Sequence, residues 1–284
     1  MKIAISGSSG LVGSHLCDYL QTDLGAEILK IPRERLYGDA KSLAALLDGA
    51  SVIIHLSGAS ILSRWTKSRK RILRDSRVET TKNLCKAVAL LKDKPKQFIC
   101  TSAVGIYNSR DRHSEESEAY SHDFLGKVCI EWEQAAMQMQ KLNVRTAIFR
   151  LGVVLSEQGG IIQKSLPFFK LGIGGRLGSG KQMFPFIHID DLMKAYSFVI
   201  NERSEGIYNL VAPVSINNGD FTKMMAKIVK RPAFCHVPAF ILRILLGEAS
   251  TVLLNGQTVL PDRLKKEGFQ YNYLTFEEAL CALV

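Results

Sequence analysis

The sequence lacks the cysteine patterns that mark disulfide frameworks and zinc sites. There is no CxxC pair and no cluster of cysteine with histidine. The six cysteines are scattered along the chain at Cys17, Cys85, Cys100, Cys129, Cys235 and Cys281. This spacing predicts free thiols in a reducing compartment and no metal site.

Long apolar runs are also missing. No stretch of about 18 apolar residues occurs, and the apolar segment AFILRILLG is interrupted by Arg243. The opening MKIAISGSSG has an apolar run too short for a signal peptide, and it passes directly into a glycine-rich turn. The sequence therefore predicts a cytoplasmic protein without a membrane partner.

Acidic residues are in deficit. The chain has 27 Asp and Glu against 37 Lys and Arg, a net charge of +10, which predicts an anionic partner. The densest basic stretch is RWTKSRKRILRDSR, where Lys67, Lys70, Arg71 and Arg74 recur at helical spacing. Its one aromatic residue, Trp65, is too few for stacking of single strands, so nucleic acid is not expected. A small anionic substrate and a merely solvated helix face are the two alternatives.

Short runs of Val, Ile and Leu alternate with amphipathic helical patterns over the first half of the chain. The predicted strands include KIAIS, AEILKI, SVIIHLSG, QFICTSAV and VRTAIFRLGVVL. The alternation predicts an α/β fold, a Rossmann-like doubly wound parallel sheet with ligands at the carboxyl ends of its strands. After about residue 156 the pattern becomes glycine-rich and irregular. We predict a sheet domain at 1–156, with 186–202 packing back onto it, and a smaller, mostly helical lobe from 157–185 and 203–284.

The segment ISGSSGLVG places Gly7, Gly10 and Gly13 directly after the first strand and at the start of a helix. In this GxxGxxG spacing, the three glycines permit a tight turn, a close approach of backbone to a diphosphate, and close packing of helix on strand. The free N–H groups of the helix start favour the anion. The turn predicts a dinucleotide site. Further contacts are predicted from Ser9, Leu11 and Val12.

The end of the second strand, KIPRER, predicts which dinucleotide binds. An NAD site typically has Asp or Glu there for the ribose hydroxyls, whereas this chain has Arg33, whose guanidinium suits a 2′-phosphate. NADP(H) is therefore the predicted cofactor. Glu34 works against this preference, and a solvated turn is the alternative role for Arg33. Asp39 is predicted either to meet the adenine edge or to cap the next helix.

The glycine spacing resembles that of the short-chain dehydrogenase/reductase superfamily. DGASVIIHLSGAS is similar to its third strand and the small-residue turn that passes the adenosine, here Leu56, Ser57, Gly58 and Ala59. RVETTKNLCKAV resembles the following helix of the extended branch, with Arg77 where an Asn is common. The resemblance implies that Leu56, Ser57, Gly58 and Arg77 contact the cofactor.

Blocks in the second half narrow the resemblance. TSAVGIYN, RLGVVLSEQGG, LPFFKLGIGGRLGSGKQMFPFIHIDDL and LLNGQTVLPDRLKKEGF are together similar to one group of atypical short-chain dehydrogenases. These are the epimerase-family, or nucleoside-diphosphate-sugar-epimerase-like, proteins, which have a small C-terminal domain of their own. The resemblance covers nearly the whole chain. It implies NADP binding by residues 1–156, with a contact from Val154. Pro32 stands where the family commonly has Ser or Thr, which removes a hydroxyl from the 2′-phosphate site.

The proton donor of that superfamily is missing. In the active pattern a Tyr and a Lys lie four residues apart on one helix face, and the phenol exchanges a proton with the substrate. In FLGKVCIEWE their places are taken by Phe124 and Val128, while Lys127 projects about 100° away. The place of the Ser/Thr partner is Ala103, with Ser102 on the other face of the strand.

Substitutes for the missing donor are present nearby. Tyr107, at the end of the same strand, is the predicted catalytic residue, with Ser102 as its partner, and Tyr120, Glu115 and Glu116 follow in the next loop. A packed tyrosine with a locally bonded hydroxyl is the alternative for Tyr107.

In the second lobe, GIGGRLGSGKQ predicts a loop that accommodates phosphate. In nucleotide-sugar enzymes of the extended branch, the similar block borders the substrate nucleotide. The predicted substrate contacts are Arg176, Lys181, Gln182 and His188. A packed strand histidine is the alternative for His188. Asp190 or Asp191 is predicted to cap the helix that follows.

Two functions remain open from the sequence. The first is an NADP(H)-binding oxidoreductase or epimerase-like enzyme that acts on a small phosphorylated or nucleotide-linked substrate. The second is a non-catalytic NADP(H)-binding sensor or interaction protein, because the Tyr-x-x-x-Lys pair is absent. A homodimer is a further expectation.

Overall fold

The computed structural model describes all 284 residues. The strands in chain order are β1 (Lys2–Ser6), β2 (Glu27–Ile31), β3 (Val52–His55), β4 (Gln97–Ala103), β5 (Arg112–His113), β6 (Arg145–Leu151), β7 (Val153–Ser156), β8 (Gly175–Leu177), β9 (Met183–Phe184), β10 (Phe186–His188), β11 (Gly206–Leu210), β12 (Ile216–Asn217), β13 (Cys235–Val237) and β14 (Thr258–Val259). The helices are α1 (Leu11–Leu24), α2 (Arg33–Tyr37), α3 (Ala40–Leu47), α4 (Lys67–Asp75), α5 (Val78–Ala89), α6 (Phe124–Ala136), α7 (Gly160–Lys170), α8 (Ile189–Asn201), α9 (Asn218–Val229), α10 (Ala239–Leu246), α11 (Thr251–Leu254), α12 (Asp262–Lys266) and α13 (Phe276–Cys281).

Six parallel strands form the main sheet, in the order β11-β6-β4-β3-β1-β2. The strand order changes direction between β1 and β3, as in doubly wound folds. Successive side chains of a strand point to opposite faces, and each face of the sheet has its own core. Ile3 and Ile5 pack under α1 and α8, whereas Ala4 and Ile53 pack under α3, α5 and α6. The predicted α/β fold is confirmed.

The segment VRTAIFRLGVVL, predicted as one strand, is two. Gly152 separates β6 from β7, and a β-carbon on it would lie 2.8 Å from both the Pro185 carbonyl oxygen and a methyl group of Val211. Only glycine lets these chain segments pass so closely. Beyond it the chain leaves the main sheet, and β7 pairs with β10 instead.

The smaller lobe has an aromatic core of its own. It contains Phe184, Phe186, Phe221 and Phe276, and the ring centroids of the contacting pairs are 5.0 to 6.3 Å apart. Helix α7 packs against α9. None of the helices in the protein is both long and apolar enough to cross a bilayer.

Two sequence-based expectations for this region were wrong. Residues 160–170 form a helix, although the glycines around them indicated irregular chain. Strand β11 was assigned with 203–284 to the smaller lobe, but it is the edge strand of the main sheet beside β6. The sequence GIYNL is too short to show which sheet it belongs to. Its position is determined by its hydrogen bonds with β6.

The aromatic core gives a stability prediction. Phe276 is 1% exposed, so Phe276→Ala leaves a cavity and is expected to lower the free energy of unfolding by about 3–5 kcal/mol. Leu274, two residues earlier, is 52% exposed, so Leu274→Ala is expected to cost less than about 0.5 kcal/mol. Urea denaturation of both variants checks this, and equal losses would contradict the packing described.

Candidate cofactor site

The turn after β1 is closed by backbone contacts that leave no room for side chains. Gly7 has φ = 74°, in the left-handed region, and a β-carbon on it would lie 3.0 Å from the backbone carbonyl carbon of Leu56. A β-carbon on Gly13 would lie 2.1 Å from the Gly7 carbonyl oxygen. Helix α1 begins after Gly10, which has no side-chain cap, and its first turn carries no acidic residue. Its free N–H groups and positive dipole end therefore suit an anion.

A cleft of about 350 Å³ opens beside this turn. Five chain segments line it: the turn after β1, the end of β2 with α2, the turn after β3, Ser76 between α4 and α5, and Thr80 of α5. The lining residues are Gly7, Ser8, Ser9, Gly10, Lys30, Ile31, Pro32, Arg33, Leu36, Tyr37, Leu56, Ser57, Gly58, Ala59, Ser76 and Thr80. The structure thus brings together seven of the predicted cofactor residues: Gly7, Ser9, Gly10, Arg33, Leu56, Ser57 and Gly58.

Two unpaired cations stand at the β2 end of this cleft. Lys30 and Arg33 both line it, both are exposed, and neither forms an ion pair. The Arg33 guanidinium carbon lies 5.8 Å from the centre of the Tyr37 ring. Glu34 does not line the cleft. Sequence reasoning missed Lys30 because it sits inside the strand, three residues before Arg33.

The other predicted cofactor residues lie around the cleft without lining it. Asp39 caps α3, accepting a hydrogen bond of 2.9 Å from the Ser42 N–H, which is the second of its two predicted roles. Leu11 packs on the turn after β7, since a β-carbon on Gly159 would lie 2.9 Å from its side chain. Val12 and Val154 are partly buried against the core of the sheet.

Arg77 supports the turn from Leu56 to Ala59 from behind. Its guanidinium donates to the carbonyls of Leu73, at 3.0 Å, and Ala59, at 3.1 Å, and stands 5.4 Å from the Trp132 ring centre. A β-carbon on Gly58 would lie 2.9 Å from its guanidinium carbon. Burial lowers the pKa of Arg77 below its ordinary value. Arg77 therefore positions the Leu56–Ala59 turn.

The face of α6 where the superfamily has its Tyr and Lys is apolar. Val128 is 2% exposed, and Phe124 packs edge-on against Trp65 with ring centroids 5.4 Å apart. The Lys70 ammonium lies 4.9 Å from the centre of the Phe124 ring. Lys127 is exposed and points away, as the helical spacing predicted. No titratable side chain of α6 takes the place of the missing pair.

Tyr107 does not fit its predicted catalytic role. Its side chain is fully buried and stacks on His113 with ring centroids 4.6 Å apart. Its hydroxyl accepts from Arg150 at 2.7 Å and lies 2.9 Å from the Ser114 carbonyl and from Asn209 Oδ1. Burial raises the pKa of this phenol above its ordinary value, even though Arg150 acts to lower it. The packed alternative is the one found.

Ser102 is likewise occupied. It is 3% exposed and donates to Glu133 Oε1 at 2.7 Å. Glu133 receives two further bonds from Arg150, Nε to Oε1 at 3.0 Å and Nη2 to Oε2 at 2.8 Å. Burial acts to lower the pKa of Arg150, but its bonds with Glu133 raise it above the ordinary value. Glu115 also has a structural place, because its carboxylate accepts from the backbone N–H of Asn209.

The predicted substrate residues separate into two kinds. Arg176 and Lys181 are exposed and form no ion pair. The Gln182 amide instead ties its loop to α11 through the carbonyls of Leu177 and Leu253, at 2.9 and 3.0 Å. His188 is 4% exposed, as its alternative role of a packed histidine predicts, and its Nε2 has no hydrogen-bond partner.

His188 caps α8, which corrects the prediction of Asp190 or Asp191. Its Nδ1 accepts from the Asp190 N–H at 3.2 Å, and its ring packs on Tyr273. Burial lowers the pKa of His188, which favours the neutral ring that can accept this bond. Asp191 accepts from the backbone N–H groups of Asn272 and Tyr273.

Three of the four cations on the predicted basic face of α4, Lys70, Arg71 and Arg74, form ion pairs. Lys70 pairs with Glu248 of the smaller lobe at 2.5 Å, and Arg74 pairs with Glu131 at 2.7 Å and with Glu79 at 3.1 Å. Few charges of this helix face are therefore left to attract an anionic substrate. The ion pair between Lys70 and Glu248 instead joins the sheet domain to the smaller lobe.

The buried ion pair gives the second stability prediction. Glu133→Gln leaves the Arg150 guanidinium in the core without its counter-ion, and we expect a loss of about 3–5 kcal/mol in the free energy of unfolding. Glu131→Gln is the matched control, because Glu131 pairs with Arg74 at the surface, where such bonds contribute about 0–1 kcal/mol. Denaturant unfolding of both proteins distinguishes them. A loss as small as that of the control would mean that the buried pair does not hold the core.

Two family models match the chain. The model of the NAD-dependent epimerase/dehydratase family matches residues 3–210, and that of a domain of unknown function, DUF1731, matches residues 237–283. The first covers all six strands of the main sheet. The second begins at the end of β13 and includes α10 to α13.

Similar proteins cover the chain from end to end. The epimerase family protein SDR39U1 homolog of Arabidopsis thaliana, a chloroplastic protein, is 33% identical over 306 residues, which are 100% of this chain and 87% of that one. The epimerase family protein Mb2239 of Mycobacterium bovis is 36% identical over 292 residues, 98% of this chain and 96% of the relative. The crystal structure of the human epimerase family protein SDR39U1 (isoform 2) with NADPH has a TM-score of 0.91 and 30% identity, and covers 100% of this chain and 99% of that chain.

Proposed function

Because the chain belongs to the NAD-dependent epimerase/dehydratase family, we propose that it is an NADP(H)-dependent oxidoreductase of the epimerase-like type, acting on a small anionic substrate. The observation that carries the proposal is the pair of unpaired cations, Lys30 and Arg33, on the wall of a cleft that begins at the GxxGxxG turn. The NADPH of the similar human structure supports the same cofactor.

The residues present suit each part of the cofactor. The N–H groups at the start of α1 would hold the diphosphate, and the turn from Leu56 to Ala59 would border the adenosine. Lys30 and Arg33 would pair with the 2′-phosphate of NADP(H). NAD(H) has no such phosphate, and no Asp or Glu lines the cleft to neutralise the two cations. Pro32 fixes the backbone before α2 but has no hydroxyl. Lys30 would therefore provide the contact to the 2′-phosphate that a Ser or Thr hydroxyl commonly provides in the family.

The nicotinamide, when bound, would supply or accept a hydride at a carbon of the substrate. This chain's own residues would orient the reactants, since Phe124 and Val128 offer no proton and Tyr107 and Ser102 are buried. A proton for a reduced carbonyl oxygen would therefore come from water. The exposed Arg176 and Lys181, which form no ion pair, would attract the phosphate of a phosphorylated or nucleotide-linked substrate.

A second candidate is an NADP(H)-binding sensor that performs no chemistry. The specific observation in its favour is the packing at Phe124. The ring contacts Trp65 of the sheet domain, and Leu246 and Ala249 of the smaller lobe join the same small cluster. The position of the usual proton donor is thus used to join two parts of the protein.

The cofactor proposal is tested by thermal unfolding with NADPH, NADP⁺, NADH and NAD⁺ at matched concentrations. A charge-assisted bond to the 2′-phosphate contributes about 1.5–3 kcal/mol, so Lys30→Ala and Arg33→Ala are each expected to weaken NADPH binding roughly 10- to 100-fold. Binding of NADH should stay unchanged. Arg35→Ala is the control, because Arg35 bonds to Ser42 and does not line the cleft. Stabilisation by NADH as strong as by NADPH would refute the assignment.

Hydride chemistry is tested separately. The protein is incubated with NADPH deuterated at the reactive ring carbon and with phosphorylated and nucleotide-linked carbonyl compounds, and the products are analysed by mass spectrometry. The enzyme proposal expects deuterium in a product, and expects Lys30→Ala to reduce its formation at subsaturating NADPH. Tight NADPH binding without transfer to any compound would favour the sensor.

A further inference from the structure

Two segments of the smaller lobe contain no acidic residue at all. Residues 158–189 and 221–247 hold nine Lys and Arg and neither Asp nor Glu. Parallel pairing of β8 with β13 brings the two segments together in the fold. Lys223 and Lys227 pair with acids from outside these segments. Seven exposed cations form no ion pair: Lys164, Lys170, Arg176, Lys181, Lys230, Arg231 and Arg243.

The same two segments expose an unusual number of large apolar side chains. We call the surface they form with these cations the acid-free surface. Its apolar members are Phe168, Leu171, Ile173, Phe234, Phe240, Ile241, Ile244 and Leu245. Half of the sixteen large apolar residues that the whole chain exposes lie in these two segments, so the clustering is not the ordinary scatter of surface hydrophobics.

Helix α10 carries the most continuous part of the exposed apolar side chains. Its exposed residues Phe240, Ile241, Ile244 and Leu245 recur at i, i+1, i+4 and i+5, which is one continuous face, while Leu242 on the opposite side is 7% exposed and faces the protein. Contiguous apolar side chains on a protein surface mark an interaction site. Here the outward face has nothing against it.

The degree of exposure indicates a protruding surface. Phe234 is 88% exposed, Leu171 is 74% exposed, and Ile244 is 67% exposed. Side chains that line a substrate cleft lose most of their accessible area to the opposite wall, so these do not belong to such a cleft. These apolar side chains instead point into solvent, and the exposed cations of the same two segments lie between them in the sequence.

We propose that the acid-free surface docks on an anionic lipid bilayer. The apolar side chains of α10 and of the chain around Leu171 would enter the interface between headgroups and acyl chains. The five free cations that the substrate does not use, Lys164, Lys170, Lys230, Arg231 and Arg243, would face the lipid phosphates. A second copy of the chain fits less well, because a symmetric contact would bring two acid-free basic surfaces together. The bilayer is bound at its surface only, since no helix is suited to span it.

Cosedimentation with vesicles tests the proposal, using the intact protein. Vesicles of phosphatidylcholine alone are compared with vesicles of phosphatidylcholine mixed with phosphatidylglycerol. Binding is expected only to the anionic vesicles and is expected to decline as salt is added. Arg243→Glu should reduce the partition coefficient by roughly fivefold or more, and Ile244→Ser by roughly tenfold or more.

Two controls match these variants in chemistry and exposure. Leu90→Ser removes an apolar side chain that is 55% exposed at the end of α5, and Lys86→Glu reverses a free charge on the same helix. Both should bind vesicles like the unmodified protein. An unchanged thermal midpoint shows that each variant is folded.

Three results would overturn the proposal. The first is no binding to anionic vesicles at low salt. The second is an equal effect of Ile244→Ser and Leu90→Ser. The third is light scattering that shows a dimer which Ile244→Ser converts to a monomer, since the surface would then belong to a second copy of the chain.

Discussion

The bidentate ion pair between Glu133 and Arg150 is the interaction on which the centre of the molecule depends. It joins α6 to β6. Ser102 of β4 donates a hydrogen bond to Glu133, and Arg150 donates one to the Tyr107 hydroxyl, which lies within hydrogen-bond distance of Asn209 on β11. Helix α6 and three neighbouring strands of the main sheet, β4, β6 and β11, are therefore fixed by one buried polar network. Each polar group in it is hydrogen-bonded, which is the condition under which buried charge is tolerated.

This network also explains why the polar residues near the missing proton donor are not catalytic. A serine and a tyrosine at the carboxyl end of β4 look available in the sequence, because nothing local shows what they contact. Their partners come from α6, β6 and β11, far along the chain. Burial of Ser102 and Tyr107 is thus a property of the assembled sheet, and no local pattern can reveal it.

The features that the sequence does predict are those set by short-range backbone geometry. The glycine turn, the strand–helix alternation and the direction of Lys127 each follow from the spacing of neighbouring residues, and the structure shows all three. Lys30 was missed because a strand residue reaches the cleft only through the register of β2 on β1. Helix α7 and the capping role of His188 depend in the same way on contacts with other elements.

The position of β11 has a consequence for how the chain is made. β6 and β11 are neighbours in the main sheet, yet residues 152–205, including α7 and α8, are synthesised between them. Until β11 emerges from the ribosome, one edge of β6 presents unpaired backbone groups, which are a template for pairing with other chains. The sheet therefore cannot be completed before part of the smaller lobe exists, and folding has to wait for a long-range contact. A fragment ending at residue 156 would carry the whole glycine turn and still expose an aggregation-prone edge.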